Sequence, residues 1–123
     1  METETDLELK GLGSFIGTQN YYAVLGANVT DGVKYIMDNG YSWFVTDAIA
    51  VIKFRDKFPK LRNQPFLSVK LVLLGDVARW EADLIIEDGN YNQLYKQHYD
   101  FTDAKRELTL FYTDNVLMLS NEY

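Results

Sequence analysis

The sequence has no cysteine, one histidine and only two prolines in 123 residues. Without cysteine there is no disulfide framework, no thiolate nucleophile and no sulfur ligand for zinc, a usage that fits a reducing cytosol. A single histidine also excludes the paired-histidine zinc motifs. No apolar stretch reaches the roughly 20 residues that cross a bilayer. The first ten residues hold four acids and one base, the opposite of a basic signal-peptide start. A cytoplasmic chain is expected, with neither secretion nor a membrane span, and with no cofactor and no metal.

Positive charge is also scarce, the formal net charge being −6. Nucleic-acid affinity comes chiefly from Lys and Arg neutralising phosphates, so direct coating of nucleic acid is not expected. The charge is segregated: residues 11–75 hold four acids and seven bases, whereas residues 76–123 hold ten acids and four bases. What the chain does have is apolar and aromatic side chains, at 47% and 15%, enough to offset the entropy of ordering one domain of this length.

The pattern along the chain predicts an α+β fold in which N-terminal helices pack on an antiparallel meander. Gly11, Gly13 and Gly17 interrupt any early helix, so residues 1–28 are expected to be an irregular or short helical arm. Thr30-Asp31-Gly32 signals a helix start, with Val33, Ile36 and Met37 at helical spacing and Asn39-Gly40 as its stop. From Ser42 to Phe54 the residues are apolar nearly all round, as in a buried helix, so that helices fill residues 30–55. Pro59 and Pro65 close that region.

Residues 66–120 read as sheet. Leu67 to Leu74 and Arg79 to Ile86 are strands, Asp88-Gly89-Asn90 is a turn, and Arg106 to Tyr112 with Val116 to Leu119 form a closing hairpin. Between them Tyr91, Tyr95 and Tyr99 repeat at helical spacing, while Tyr95, Gln97, Tyr99 and Phe101 alternate like a strand. The strand reading is preferred.

The segments Leu12-Gly13-Ser14-Phe15-Ile16-Gly17-Thr18, Asn20-Tyr21-Tyr22, Thr30-Asp31-Gly32-Val33-Lys34-Tyr35, Trp43 with Asp47-Ala48-Ile49-Ala50, and the closing Glu122-Tyr123 occur in that order. Together they resemble a small family of bacterial proteins of unknown function, often carried on plasmids and phages. The end departs slightly, with Ser-Asn-Glu-Tyr in place of Pro-Ser-Glu-Tyr. The resemblance implies a shared fold and a mobile-element setting, and brings no catalytic residues with it.

Candidate chemistry is sparse. Asp83, Glu87 and Asp88 are hairpin acids without the spacing of a calcium loop. His98 is the natural general acid or base, with Asp100 placed to orient it beside Lys96, but no nucleophile-elbow motif accompanies it. Asp47 sits within the apolar helix, where a carboxylate needs a hydrogen-bond partner or a wet face. It is a structural acceptor or a pocket acid. Glycines at 11, 13 and 17 lack the Lys-Ser or Lys-Thr of a phosphate loop. The basic run from Lys53 to Arg62, with Phe54 and Phe58, is better explained as the solvated exit of a helix.

The acidic last third carries the most weight. Asp76, Glu81, Asp83, Glu87 and Asp88 are expected to present a negative face, with Trp80, Tyr91, Tyr95 and Tyr99 as aromatic anchors. The expected function is a non-enzymatic, mobile-element accessory protein that binds a basic host protein. It would inhibit or decoy a nucleic-acid-handling protein in the manner of anti-CRISPR proteins. A pocket shared by Asp47 and His98, serving a small ligand or an enzyme, and a dimerising scaffold that uses the closing hairpin as an edge are the alternatives.

Overall fold

Leu67, Val69 and Leu71 alternate with Ser68, Lys70 and Val72, and a strand sends such neighbours to opposite faces. The same alternation organises every strand of the computed structural model, which describes residues 20–74 and 81–123. Its elements in chain order are β1 (Tyr21–Val24), β2 (Ala27–Thr30), α1 (Asp31–Ile36), α2 (Ser42–Lys53), β3 (Phe66–Leu73), β4 (Ala82–Glu87), β5 (Gln93–Tyr99), β6 (Leu108–Thr113) and β7 (Val116–Leu119). The strands form one seven-stranded sheet in the order β1-β2-β7-β6-β3-β4-β5. The architecture is α+β and dominated by the sheet.

One face of the sheet is covered. Leu67, Val69 and Leu71 of β3, Leu84 and Ile86 of β4, Leu110 of β6 and Leu117 of β7 are buried there with Phe44, Val45, Ala48, Ile49 and Ile52 of α2. Each large side chain taken fully out of water in this way contributes about 1.5–3 kcal/mol. The buried α2 and strands β3, β4, β6 and β7 therefore lie within about two residues of where the apolar pattern puts them. Residues 79 and 80 of the expected second strand lie outside the described residues, and residues 93–99 of the ambiguous tyrosine segment are strand β5.

Three features differ from the sequence expectation. Residues 1–19 lie outside the described part of the chain, but residues 21–30 of the expected arm and helix start are a β-hairpin. Leu25 and Gly26 close it with φ of 51° and 89°, the left-handed pair that a two-residue hairpin turn requires. Tyr21-Tyr22-Ala23-Val24 before that turn and Val29-Thr30 after it are aromatic and β-branched, the local reason the segment pairs as strands.

The helical region is also a minor part of the fold, α1 holding six residues and α2 twelve. Between them Asn39 and Gly40 leave helical geometry, Gly40 with a φ of 101°. The Asn39-Gly40 stop signal coincides with that break.

The sheet, third, is not a meander. Strands β3 to β5 run in sequence, but β6 returns to the other side of β3, and β2 pairs in parallel with β7. Residues 100–107 carry the chain back from the edge strand β5, and the Lys105 N–H donates to the Tyr41 hydroxyl at 3.3 Å, fixing that crossing to the helix. The closing hairpin consequently lies inside the sheet, paired with β3 on one side and β2 on the other. It offers no free edge for dimerisation.

The two ends of the chain's motifs meet at the start of α1. The Thr30 hydroxyl accepts from the Val33 N–H, a helix N-cap, and donates to Glu122 at 2.6 Å. Glu122 also accepts from the Gly32 and Leu119 N–H groups. Gly32 is tightly enclosed, because a Cβ there would overlap Leu119 and lie 2.7 Å from Glu122 Oε1.

Candidate functional site

Strand β5 is an edge strand whose two faces meet different chemistry. Its antiparallel register with β4 sets Asp83 opposite His98 and Ala82 opposite Tyr99. Tyr95, Gln97 and Tyr99 turn toward the helix, Lys96 and His98 toward the other face, open in the sense that no helix among the described residues packs on it. Asp47 and His98, expected to share one pocket, lie on opposite sides of the sheet.

On the covered side, Tyr99 donates its hydroxyl to Asp47 Oδ2 at 2.7 Å. Burial, and then that bond, raises the Tyr99 phenol far above its ordinary pKa, so it stays protonated as a donor. Trp43 lies one helical turn before Asp47, on the same face of α2. Its ring meets Tyr99 edge-on, with centroids 5.1 Å apart and planes at 80°, and its indole N–H donates to the Gly40 carbonyl at 2.9 Å.

Past β5 the chain turns at Thr102, whose hydroxyl accepts from the Ala104 N–H at 2.7 Å. The result is an open cleft of about 400 Å³ lined by Trp43, Asp47, Tyr99, Phe101, Thr102 and Asp103. Phe101 is 73% exposed at its rim. Aromatic faces carry negative π density and two carboxylates stand beside them, so this cleft is suited to a cation.

On the open side, Asp83 is nearly enclosed, its side chain only 5% exposed. His98 Nδ1 lies 2.8 Å from Asp83 Oδ1, and Lys96 Nζ lies 3.3 Å from Oδ2. Burial alone would raise the Asp83 pKa, but the bonds from His98 and Lys96 outweigh it and hold the carboxyl below its ordinary value. The bond to Asp83 in turn raises the His98 pKa against the opposing effect of desolvation. The other ring nitrogen, Nε2, lies 3.2 Å from Asp100 and 3.4 Å from Glu81. Asp83, rather than Asp100, therefore orients the ring. The described partners of His98 are carboxylates, which leaves a serine-type triad without its hydroxyl.

The other residues expected to bind a partner are dispersed. Glu87 pairs with Lys70 at 2.8 Å. Asp88 accepts from the Asn90 and Asn92 N–H groups and from the Asn92 side chain, bonds to Asn92 that hold its pKa low. Asp83, Glu87 and Asp88 are thus committed to separate partners and do not converge on a cation. Tyr91 is 80% exposed at the turn, near Lys70, while Tyr95 packs edge-on against Phe58 and donates to Gln97. Asp76 and Trp80 lie outside the described residues.

Sequence reasoning singled out Asp47 and Tyr99 but assigned them separate roles, and it read Trp43 only as core. The available signal was the four-residue spacing of Trp43 and Asp47 on one helix. Phe101, Thr102 and Asp103 carried no comparable signal, because the turn that brings them to the cleft is set by the return of the chain to β6.

Among the described residues no helix is long and apolar enough to cross a membrane. No curated protein and no solved structure matches the chain. A family model does match, over residues 6–123, and by that match the chain belongs to DUF6876, a family of unknown function.

Proposed function

We propose that the protein is a non-enzymatic binding module that takes an arginine or lysine side chain of a basic partner protein into the cleft of Trp43, Tyr99 and Phe101. The observation that carries this reading is the combination of three aromatic rings with the carboxylates of Asp47 and Asp103 in one open cleft. A cation over such rings gains about 0.5–2 kcal/mol, more as it is desolvated. The net charge of −6 adds long-range attraction for a basic surface.

The acids of β4 supply less of that attraction than their number suggests. Asp83 and Glu87 are each paired with a strand cation, so the cleft and its rim, rather than the sheet face, supply the directional contacts. Proteins that handle nucleic acid display Arg and Lys for phosphates, and a module that occupies those side chains inhibits or decoys its target. A phage- or plasmid-borne accessory role is the biological setting of this reading.

The test is calorimetric titration of the protein with octa-arginine at low salt. Trp43→Ala and the pair Asp47→Asn with Asp103→Asn are each expected to weaken binding about 3–30-fold, the range set by one cation–π contact. Equal affinity for all variants would overturn the proposal.

A further inference from the structure

The open face of the β4–β5 edge carries a second constellation, opposite the cleft and independent of it. Composition argued against a metal site because the chain has one histidine and no cysteine. Strand pairing supplies donors from two strands instead. Glu81 leads into β4, His98 lies near the end of β5, and Asp100 follows it. One donor atom from each of these three lies within 4.8 Å of the others.

The spacings leave room for a metal ion. His98 Nδ1 and Asp83 are 2.8 Å apart, within the usual range of a strong charge-assisted bond. His98 Nε2 faces two carboxylate oxygens at 3.2 and 3.4 Å, long for such bonds. They are close to the roughly 3.3–3.6 Å between neighbouring donors around a tetrahedral ion whose bonds are about 2.0–2.2 Å long, and the third separation, Glu81 to Asp100, is within 4.8 Å.

A second observation lies behind the ring. Asp83 is buried, and both of its oxygens already meet donors, Oδ1 the ring Nδ1 and Oδ2 the Lys96 ammonium. A neutral imidazole bearing its proton on Nδ1 satisfies Asp83, and Lys96 balances the charge. The Nε2 lone pair is then directed outward between Glu81 and Asp100. Metal-binding histidines are oriented in this way, by a carboxylate on the nitrogen that does not bind the ion.

We infer that Glu81, His98 and Asp100 form a divalent transition-metal site, with Zn²⁺ the ion that best fits one imidazole and two carboxylates, and with Asp83 as its positioning residue. Three protein ligands leave a fourth position for water or for a side chain of a partner. Bound there, the ion would tie the entry of β4 to the end of the edge strand β5.

The experiment uses the full chain, stripped with chelator and titrated with ZnCl₂ by calorimetry, with thermal unfolding and the visible spectrum of the Co²⁺ form as further readouts. One equivalent of Zn²⁺, a rise in Tm and a tetrahedral Co²⁺ spectrum are expected, and Mg²⁺ should give none of these. His98→Ala and Asp100→Asn should abolish the Tm rise while both apo variants still unfold cooperatively. Asp83→Asn should weaken Zn²⁺ about 10–100-fold, the usual effect of losing an outer-shell partner. Should that variant fail to fold, His98→Ala and Asp100→Asn still decide. No Zn²⁺ binding by the wild type, or undiminished binding by His98→Ala, would overturn the inference.

Discussion

Asp47 and Asp83 meet consecutive residues of one strand, on opposite faces. Asp47 takes the Tyr99 hydroxyl on the helix side, and Asp83 takes the His98 ring on the open side. Tyr99 donates to Asp47 from a phenol that stays protonated, so that acid forms a fixed neutral-donor contact at the floor of a cleft. Asp83 meets two groups that carry or can gain positive charge, so its environment changes with pH. The same residue type builds a rigid wall on one face and a responsive cluster on the other, and the difference lies in the partner that the register delivers.

The comparison breaks most severely if the two faces prove equally packed. Leu84 is fully buried on the covered face and its neighbour Ile85 is only partly buried on the open one. Leu84→Ala is expected to cost about 2–5 kcal/mol, the range for truncating a core leucine. Ile85→Ala should cost clearly less by urea denaturation. Equal losses would mean that the open face is a second core.

A smaller effect sharpens the wall. Tyr99→Phe keeps the ring against Trp43 and removes only the donor to Asp47, so stability should fall by about 0.5–1.5 kcal/mol, the net worth of an ordinary hydrogen bond. Octa-arginine binding should persist, because the aromatic surface remains. A collapse of binding would show that the hydroxyl, and not the cage, recognises the cation.

The smallest effect is on pH. His98 has a folded pKa raised above 6.5, so its contribution is complete below that value and is lost as pH rises through the folded pKa. Asp83 has a folded pKa lowered from 3.8, so its contribution is present above 3.8 and is lost as pH falls through the folded value. With chelator present to remove metal, the urea midpoint should therefore be highest between about pH 4 and 6.5 and decline on the alkaline side. His98→Gln should flatten that alkaline decline. A wild-type profile that matches the variant would show that the Asp83 bond does not couple to folding.

Much of this arrangement was legible in local pattern. The apolar surround of α2, the alternation in β3 and β4 and the closing hairpin each arise within a few residues, where period and turn chemistry act. Asp47 and His98 stood out because each is a polar group at an unusual position. Less legible was everything that depends on which strand lies beside which. The β2–β7 parallel pair joins residues nearly ninety positions apart, and nothing local in Asn28 and Val29 announces Val116 and Leu117. The choice of Asp83 over Asp100 as the partner of His98 is likewise a matter of register, since Asp100 is nearer in sequence and shares the same strand face. The quoted motifs Thr30-Asp31-Gly32 and Glu122-Tyr123 gain their meaning only together, when Glu122 closes the cap of α1 over a glycine that leaves no room for a side chain.

The most direct test of the central claim is the map of backbone and side-chain NMR shifts on titration with octa-arginine at low salt, in the presence of chelator. The account predicts perturbation concentrated at Trp43, Asp47, Tyr99 and residues 101–103, with Glu81 and Asp83 across the sheet little changed. Perturbation centred on Glu81, Asp83 and Asp100, with the Trp43 indole unmoved, would contradict it and return the cationic partner to the open face.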